Sequence, residues 1–255
     1  MDEMYSYGLM NYNKLNIADN EDFQNVWHNK EYYLDYLTIN QNEKWNLKPV
    51  YENQKNDVHP PLYYLLLRIS ASFTIDRFSK WSGIILNIII FTVSNVLVFK
   101  IAKELSKSNI YGIIGCTVNG FSLISLNSNS YIRMYELANL MTLFLTWFHL
   151  KMYYKESISW RDILPVIIFF VLGGLTHYYV LAFGLGLYIV YTIKCIKNKE
   201  KNNLLKYQIA IAISAICFLA IFPYAIYHVF FSYRGVARSK NQYQNSTTRI
   251  LTFFK

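Results

Sequence analysis

The chain has 255 residues, 53% of them hydrophobic, 18% aromatic and only 16% charged, with a formal net charge of +9. That is too apolar for an ordinary soluble domain, and 23 tyrosines and 17 phenylalanines against 10 glycines exclude a disordered polymer. The basic residues fall in short clusters between apolar runs and form no single patch, which excludes a nucleic-acid face and is the pattern of membrane topology.

Residues 1–59 are polar, acidic and aromatic, with ten Asp and Glu against five lysines. Within 23–37, Phe23, Val26, Trp27, Tyr33, Leu34 and Leu37 are spaced for an amphipathic helix lying on a bilayer; a soluble helical cap fits the same residues. Asp57-Val58-His59-Pro60-Pro61-Leu62 follows. Paired prolines stop a helix arriving from the N-terminal side and are tolerated only in the first turn of the next one. The apolar run 60–74 is about fifteen residues where a span needs about twenty. It reads as an interfacial helix on the same side as residues 1–59.

Six spans follow, near 81–102, 110–126, 136–154, 159–176, 178–196 and 204–231. The fold class expected is all-α, a polytopic integral membrane protein. It divides into a loop region with interfacial helices (1–80), a transmembrane bundle (81–231) and a basic tail (232–255). One set of loops carries eleven Lys and Arg: Lys100, Lys103 and Lys107, then Lys151, Lys155 and Arg161, then Lys194, Lys197, Lys199, Lys201 and Lys206. The opposite loops, around 127–135 and 176–179, carry only Arg133, so the eleven-residue side is expected in the cytoplasm. Residues 1–80, Arg133-Met134-Tyr135, His177-Tyr178-Tyr179 and the tail then share the external face. Cys116, Cys195 and Cys217 lie in or beside apolar runs, with neither metal-site spacing nor an even count, and are read as packing residues.

Asp57-Val58-His59-Pro60-Pro61-Leu62, with Asp2-Glu3 upstream and Arg133-Met134-Tyr135 downstream, resembles the GT-C superfamily of membrane glycosyltransferases. The nearest branch is the one that holds protein O-mannosyltransferases and lipid A aminoarabinose transferases. The resemblance implies transfer of a sugar, with inversion, from a polyprenyl-phosphate donor to an acceptor hydroxyl on protein, lipid or glycan. The site would face outward from a prokaryotic plasma membrane, or into the lumen of an endoplasmic reticulum. Relatives have a transmembrane helix before the Asp-Glu pair and further spans after the last one here, so the chain is expected to be part of a larger transferase. A catalytically incomplete fragment and a membrane transporter are the alternatives, although the nearly charge-free spans do not suit a transporter.

The resemblance makes Asp2, with Glu3 beside it, the catalytic base; without it, an acid pair behind Met1 reads as a solvated terminus. Asp57 and His59 hold the sugar or the acceptor, or share a divalent metal ion with Asp2 or Glu3. Alternatively, Asp57 caps the helix opened by the prolines and His59 bonds a loop carbonyl. Arg133 suits a phosphate because its planar donors bind two oxygens at once, or it snorkels to headgroups. Tyr135 bonds the same phosphate or belongs to an aromatic belt. His177 and Tyr178 meet the donor phosphate or are turn and interfacial residues. Trp81, Trp147 and Trp160 near span ends read as anchors. No Gly-rich phosphate loop or His-Glu-x-x-His occurs, which argues against a soluble nucleotide-sugar enzyme.

Overall fold

The computed structural model describes residues 2–11 and 27–231. Every element among them is helical: α1 (Asp2–Met10), α2 (Lys30–Leu37), α3 (Lys48–Asn56), α4 (Leu62–Ala71), α5 (Trp81–Ser106), α6 (Asn109–Gly120), α7 (Leu123–Ser130), α8 (Tyr135–Tyr153), α9 (Trp160–Thr176), α10 (Tyr178–Lys197), α11 (Lys201–Ile221) and α12 (Ala225–Phe230). A short 3-10 turn occupies Gln41–Glu43. The all-α expectation is met. Residues 12–26 and the tail from 232, including the start of the expected 23–37 helix, lie outside the described residues.

Three helices, α5, α10 and α11, are long and apolar enough to cross a membrane. The expected span at 110–126 is the pair α6 and α7, which qualify only together and bend by 57° at their junction. Gly120 weakens the helix there, and the Ser122 hydroxyl starts a new one by accepting the Ser125 N–H at 3.1 Å. The regions expected as spans at 136–154 and 159–176 are helical, but α9 has only 17 residues and α8 carries Glu136, Asn139, His149 and Lys151. The expected span at 204–231 breaks at Phe222. Pro223 pushes the residue before it out of the helical region, and Phe222 has φ −138° and ψ 75°.

In the bundle α5 packs on α6 and α8, α8 on α9, and α9 on α11, while α10 lies against α8 and α9. His149 is a satisfied core histidine: Nδ1 donates to the Leu145 carbonyl at 2.7 Å, and Nε2 accepts the Tyr207 hydroxyl at 2.8 Å. At the lysine-rich end, Lys194 bonds both oxygens of Glu200 at 2.6 and 2.7 Å. Two turns at that end use lysine in the left-handed conformation, Lys107 (φ 56°) after α5 and Lys199 (φ 57°) after α10.

The helices α1 to α4 form a cap at the other end, joined by polar side chains. Arg68 of α4 is fully buried and donates to the Met10 carbonyl at 2.8 Å, the Asn11 Oδ1 at 3.3 Å and the Glu43 carbonyl at 3.0 Å. Asn53 of α3 donates to the Leu9 and Asn11 carbonyls at 3.1 and 2.7 Å. The Tyr7 hydroxyl donates to the Ser79 carbonyl at 3.1 Å and ties α1 to the start of α5. Arg68→Met keeps the aliphatic volume but orphans these buried oxygens, and is expected to destabilise the cap by about 3 kcal/mol. Thermal unfolding of the purified chain in detergent checks this; a midpoint within about 2 °C of the parent would contradict it.

Candidate functional site

Three interruptions of helix meet at the cap end of the bundle: the turn from α3 to α4, the segment before α8, and the junction of α9 with α10. Each carries residues expected to be chemical.

At the first, Asp57 ends α3, its N–H donating to the Asn53 carbonyl at 3.1 Å. Its carboxylate does not cap α4, whose N-cap position is Pro61 and has no side-chain cap. It bonds instead to His59 Nδ1 at 2.7 Å, so His59 also does not bond a loop carbonyl through that nitrogen. Nδ1–H donates to the carboxylate, which fixes the orientation of the ring. Burial pushes the Asp57 carboxyl up, but the His59 bond and charge, the Val58 N–H and the Arg133 charge outweigh it, so it titrates below its usual value.

At the second, the chain just before α8 is held from three sides. Glu3 accepts the Ile132 N–H at 3.2 Å, and Asn87 of α5 donates to the Tyr131 carbonyl at 3.0 Å while accepting the Tyr63 hydroxyl at 3.2 Å. Gly83 of α5 lacks the Cβ that would strike the Ile132 side chain, which lets this segment lie directly on α5. Arg133 is thereby fixed in a buried position, and its charge acts on both Asp57 and His177. Tyr135 stays half exposed and stacks on Tyr131 with ring centres 6.3 Å apart.

At the third, His177 stands in extended conformation between α9 and α10 and caps α10, its Nδ1 accepting the Tyr179 N–H at 3.2 Å. Its ring centre lies 6.2 Å from that of His59 and 6.2 Å from that of Tyr135. Burial, then the charges of His59 and Arg133, hold His177 down to about 4. The imidazole is therefore neutral at ordinary pH, as its cap bond requires.

Asp57, His59, Arg133, Tyr135 and His177 thus come together, with Glu3 touching the residue before Arg133. Tyr178 joins them through a residue that sequence reasoning passed over. Its hydroxyl donates to His228 Nδ1 at 2.8 Å, and His228 Nε2 donates to the Lys55 carbonyl at 3.1 Å, two residues before Asp57. His228 falls inside the span expected at 204–231, and Pro223 is the sequence signal that the helix stops before it. The Asp2 side chain lies outside what is described. No family model, curated protein or solved structure matches this chain.

Among the described residues, no three His, Cys, Asp or Glu side chains converge to hold a metal ion. Asp57 and His59 are committed to each other, and Glu3 to a backbone N–H. A cavity of about 240 Å³ opens between α9, α10 and α11, beginning about one turn below Tyr178 at Leu181 and running to Tyr188, with Phe170, Ile211 and Phe218 on its other walls. The site therefore combines a carboxylate–imidazole pair, a buried cation and a neutral histidine beside an apolar cavity.

The depressed His177 value has a defined linkage. The unfolded chain takes up a proton near the ordinary 6.5 that the folded chain refuses until about 4, so the stabilising contribution is complete above that window and is lost as pH falls through it. His228 is also held low, by burial first, and acts in the same direction. Unfolding midpoints of the parent should fall between about pH 6.5 and pH 4, and His177→Gln should flatten part of that fall. Parallel curves for the two chains would contradict the burial of a neutral His177.

Proposed function

We propose that this chain transfers a sugar from a polyprenyl-phosphate donor to an acceptor hydroxyl at the outer face of a membrane, with inversion. The observation that supports this reading best is the Asp57–His59 pair, closed at 2.7 Å beside the Arg133 charge at the ends of apolar helices. A phosphate on a lipid tail needs such a combination, a cation held ready at the edge of an apolar bundle. The cavity between α9, α10 and α11 takes the first part of the tail.

In this reading Arg133 binds the donor phosphate, and Tyr135 and His177 line the same side. Asp57 and His59 hold the acceptor or the sugar hydroxyls. The acceptor oxygen attacks the anomeric carbon from the face opposite the phosphate. The bond from carbon to phosphate oxygen breaks, its electron pair leaves on the phosphate, and the Asp2 carboxylate takes the acceptor proton. Glu3 holds the backbone before Arg133 and so couples the base helix to the phosphate site. The topology that places all of this outside has six crossings, with α6–α7 as one bent crossing and the lysine-rich turns in the cytoplasm.

Membranes carrying the chain, supplied with labelled sugar on polyprenyl phosphate, test the reading. Asp2→Asn should lower transfer by about 10²- to 10⁴-fold, the range for loss of a general base. Arg133→Lys should weaken donor use more than acceptor use, since a point charge replaces a planar two-oxygen clamp. Transfer unaffected by Asp2→Asn and by Asp57→Asn would remove both carboxylates from the mechanism. No transfer or donor hydrolysis with any polyprenyl-phosphate sugar would favour a catalytically incomplete fragment.

A further inference from the structure

α4 follows Pro60-Pro61 at the site and runs for ten residues, from Leu62 to Ala71, a rise of about 15 Å. The turn that follows is bonded to the start of α5. The Ser70 hydroxyl donates to the Ser82 carbonyl at 2.7 Å, and the hydroxyls of Thr74 and Ser82 lie 3.1 Å apart. Ser82 is the second residue of a helix long and apolar enough to cross a membrane. The 70–74 turn therefore lies level with the outer end of that helix.

Phe73, in this turn, is 75% exposed. The Trp45 ring meets it edge-on at 5.2 Å and remains 47% exposed itself. The two loops are joined by the Asp76 N–H, which donates to the Ile39 carbonyl at 2.9 Å. Trp45 has φ 63°, a left-handed conformation that costs a bulky L residue about 1–2 kcal/mol. The Lys44 ammonium lies 5.6 Å from the Trp45 ring centre. From its first turn α5 itself exposes the apolar residues Trp81, Ile85, Ile88 and Ile89.

We infer that Trp45 and Phe73 rest in the headgroup region of the outer leaflet, as a foot beside α5. Three observations converge on a phospholipid surface. The patch is level with the end of an apolar helix, that helix exposes apolar residues from its first turn onward, and the patch pairs a tryptophan with a lysine. Tryptophan favours the interface because its ring leaves water while its N–H stays among polar groups, and lysine reaches outward to phosphate. The strained backbone at Trp45 presents the ring where the lipid takes it up. The foot fixes the tilt of the cap over the bilayer whatever reaction the site performs.

The test places the full chain, with Trp27→Phe, Trp81→Phe, Trp147→Phe and Trp160→Phe, in phosphatidylcholine vesicles, leaving Trp45 as the emitter. Acyl chains brominated near the headgroup should remove the larger part of its emission, and chains brominated near the methyl end should remove much less. Aqueous iodide should quench it weakly. Iodide quenching of Trp45 as strong as that of free N-acetyltryptophanamide, with no response to bromolipid, overturns the inference. Protection without bromolipid quenching that grows with protein concentration assigns the patch to a second copy, and also overturns it. If the fourfold variant does not fold, the emission difference between the intact chain and Trp45→Phe reads the same residue in the same vesicles. A second substitution, Phe73→Ala, should shift the remaining Trp45 emission to longer wavelength.

Discussion

The guanidinium of Arg68 is the contact on which the cap half of the molecule depends. Four short helices on the apolar bundle cannot close a core of their own size, and the ends of such helices leave backbone carbonyls without partners. Arg68 reaches three oxygens from the end of α1 and from the 3-10 turn, and Asn53 reaches two more. A planar cation with five donors satisfies several carbonyls at once, which no apolar side chain can do. Because α4 also opens at Pro60-Pro61, the same helix that anchors the cap delivers Asp57 and His59 to the bundle.

The site is assembled from segments far apart in sequence, and its members are coupled by bonds that bypass the chemistry. Tyr178, His228 and the Lys55 carbonyl form a chain from α10 through α12 to the end of α3. Tyr51 adds a parallel tie by donating to the Ile221 carbonyl at 3.1 Å. The α3 helix is thus fastened at two points, once to the end of α11 and once to α12. Displacement of α12 would reach Asp57 through the backbone, without any contact between the two side chains.

Much of the fold was legible because apolar periodicity and loop charge are strong signals at this length. The boundaries of α8, α9 and α10 fall within a few residues of the expected spans. What was not legible came from single residues whose effect is tertiary. Pro223 was visible but was read through, and with it His228 was lost to a supposed span. Nothing local in the 60–74 run marks Arg68 for burial, and its partners come from segments distant in sequence. Asp57 had two local readings, capping or function, and its partner was decided by the extended backbone at 57, which turns the carboxylate back onto His59. The clustering of Asp57, His59, Arg133, Tyr135 and His177 followed from placing the helix breaks on one side, and needed no knowledge of the contacts between them.

The left-handed lysines at 107 and 199 have a consequence of another kind. Glycine would adopt that backbone without strain, and a lysine there costs about 1–2 kcal/mol. In the proposed topology both residues belong to the basic loops whose charge tells the insertion machinery which side stays in the cytoplasm. Drift to glycine at either corner would ease the turn and erase part of that label. Folding and insertion therefore act on the same two side chains in opposite directions, and a chain better adapted to its final shape would be worse adapted to reaching it the right way round.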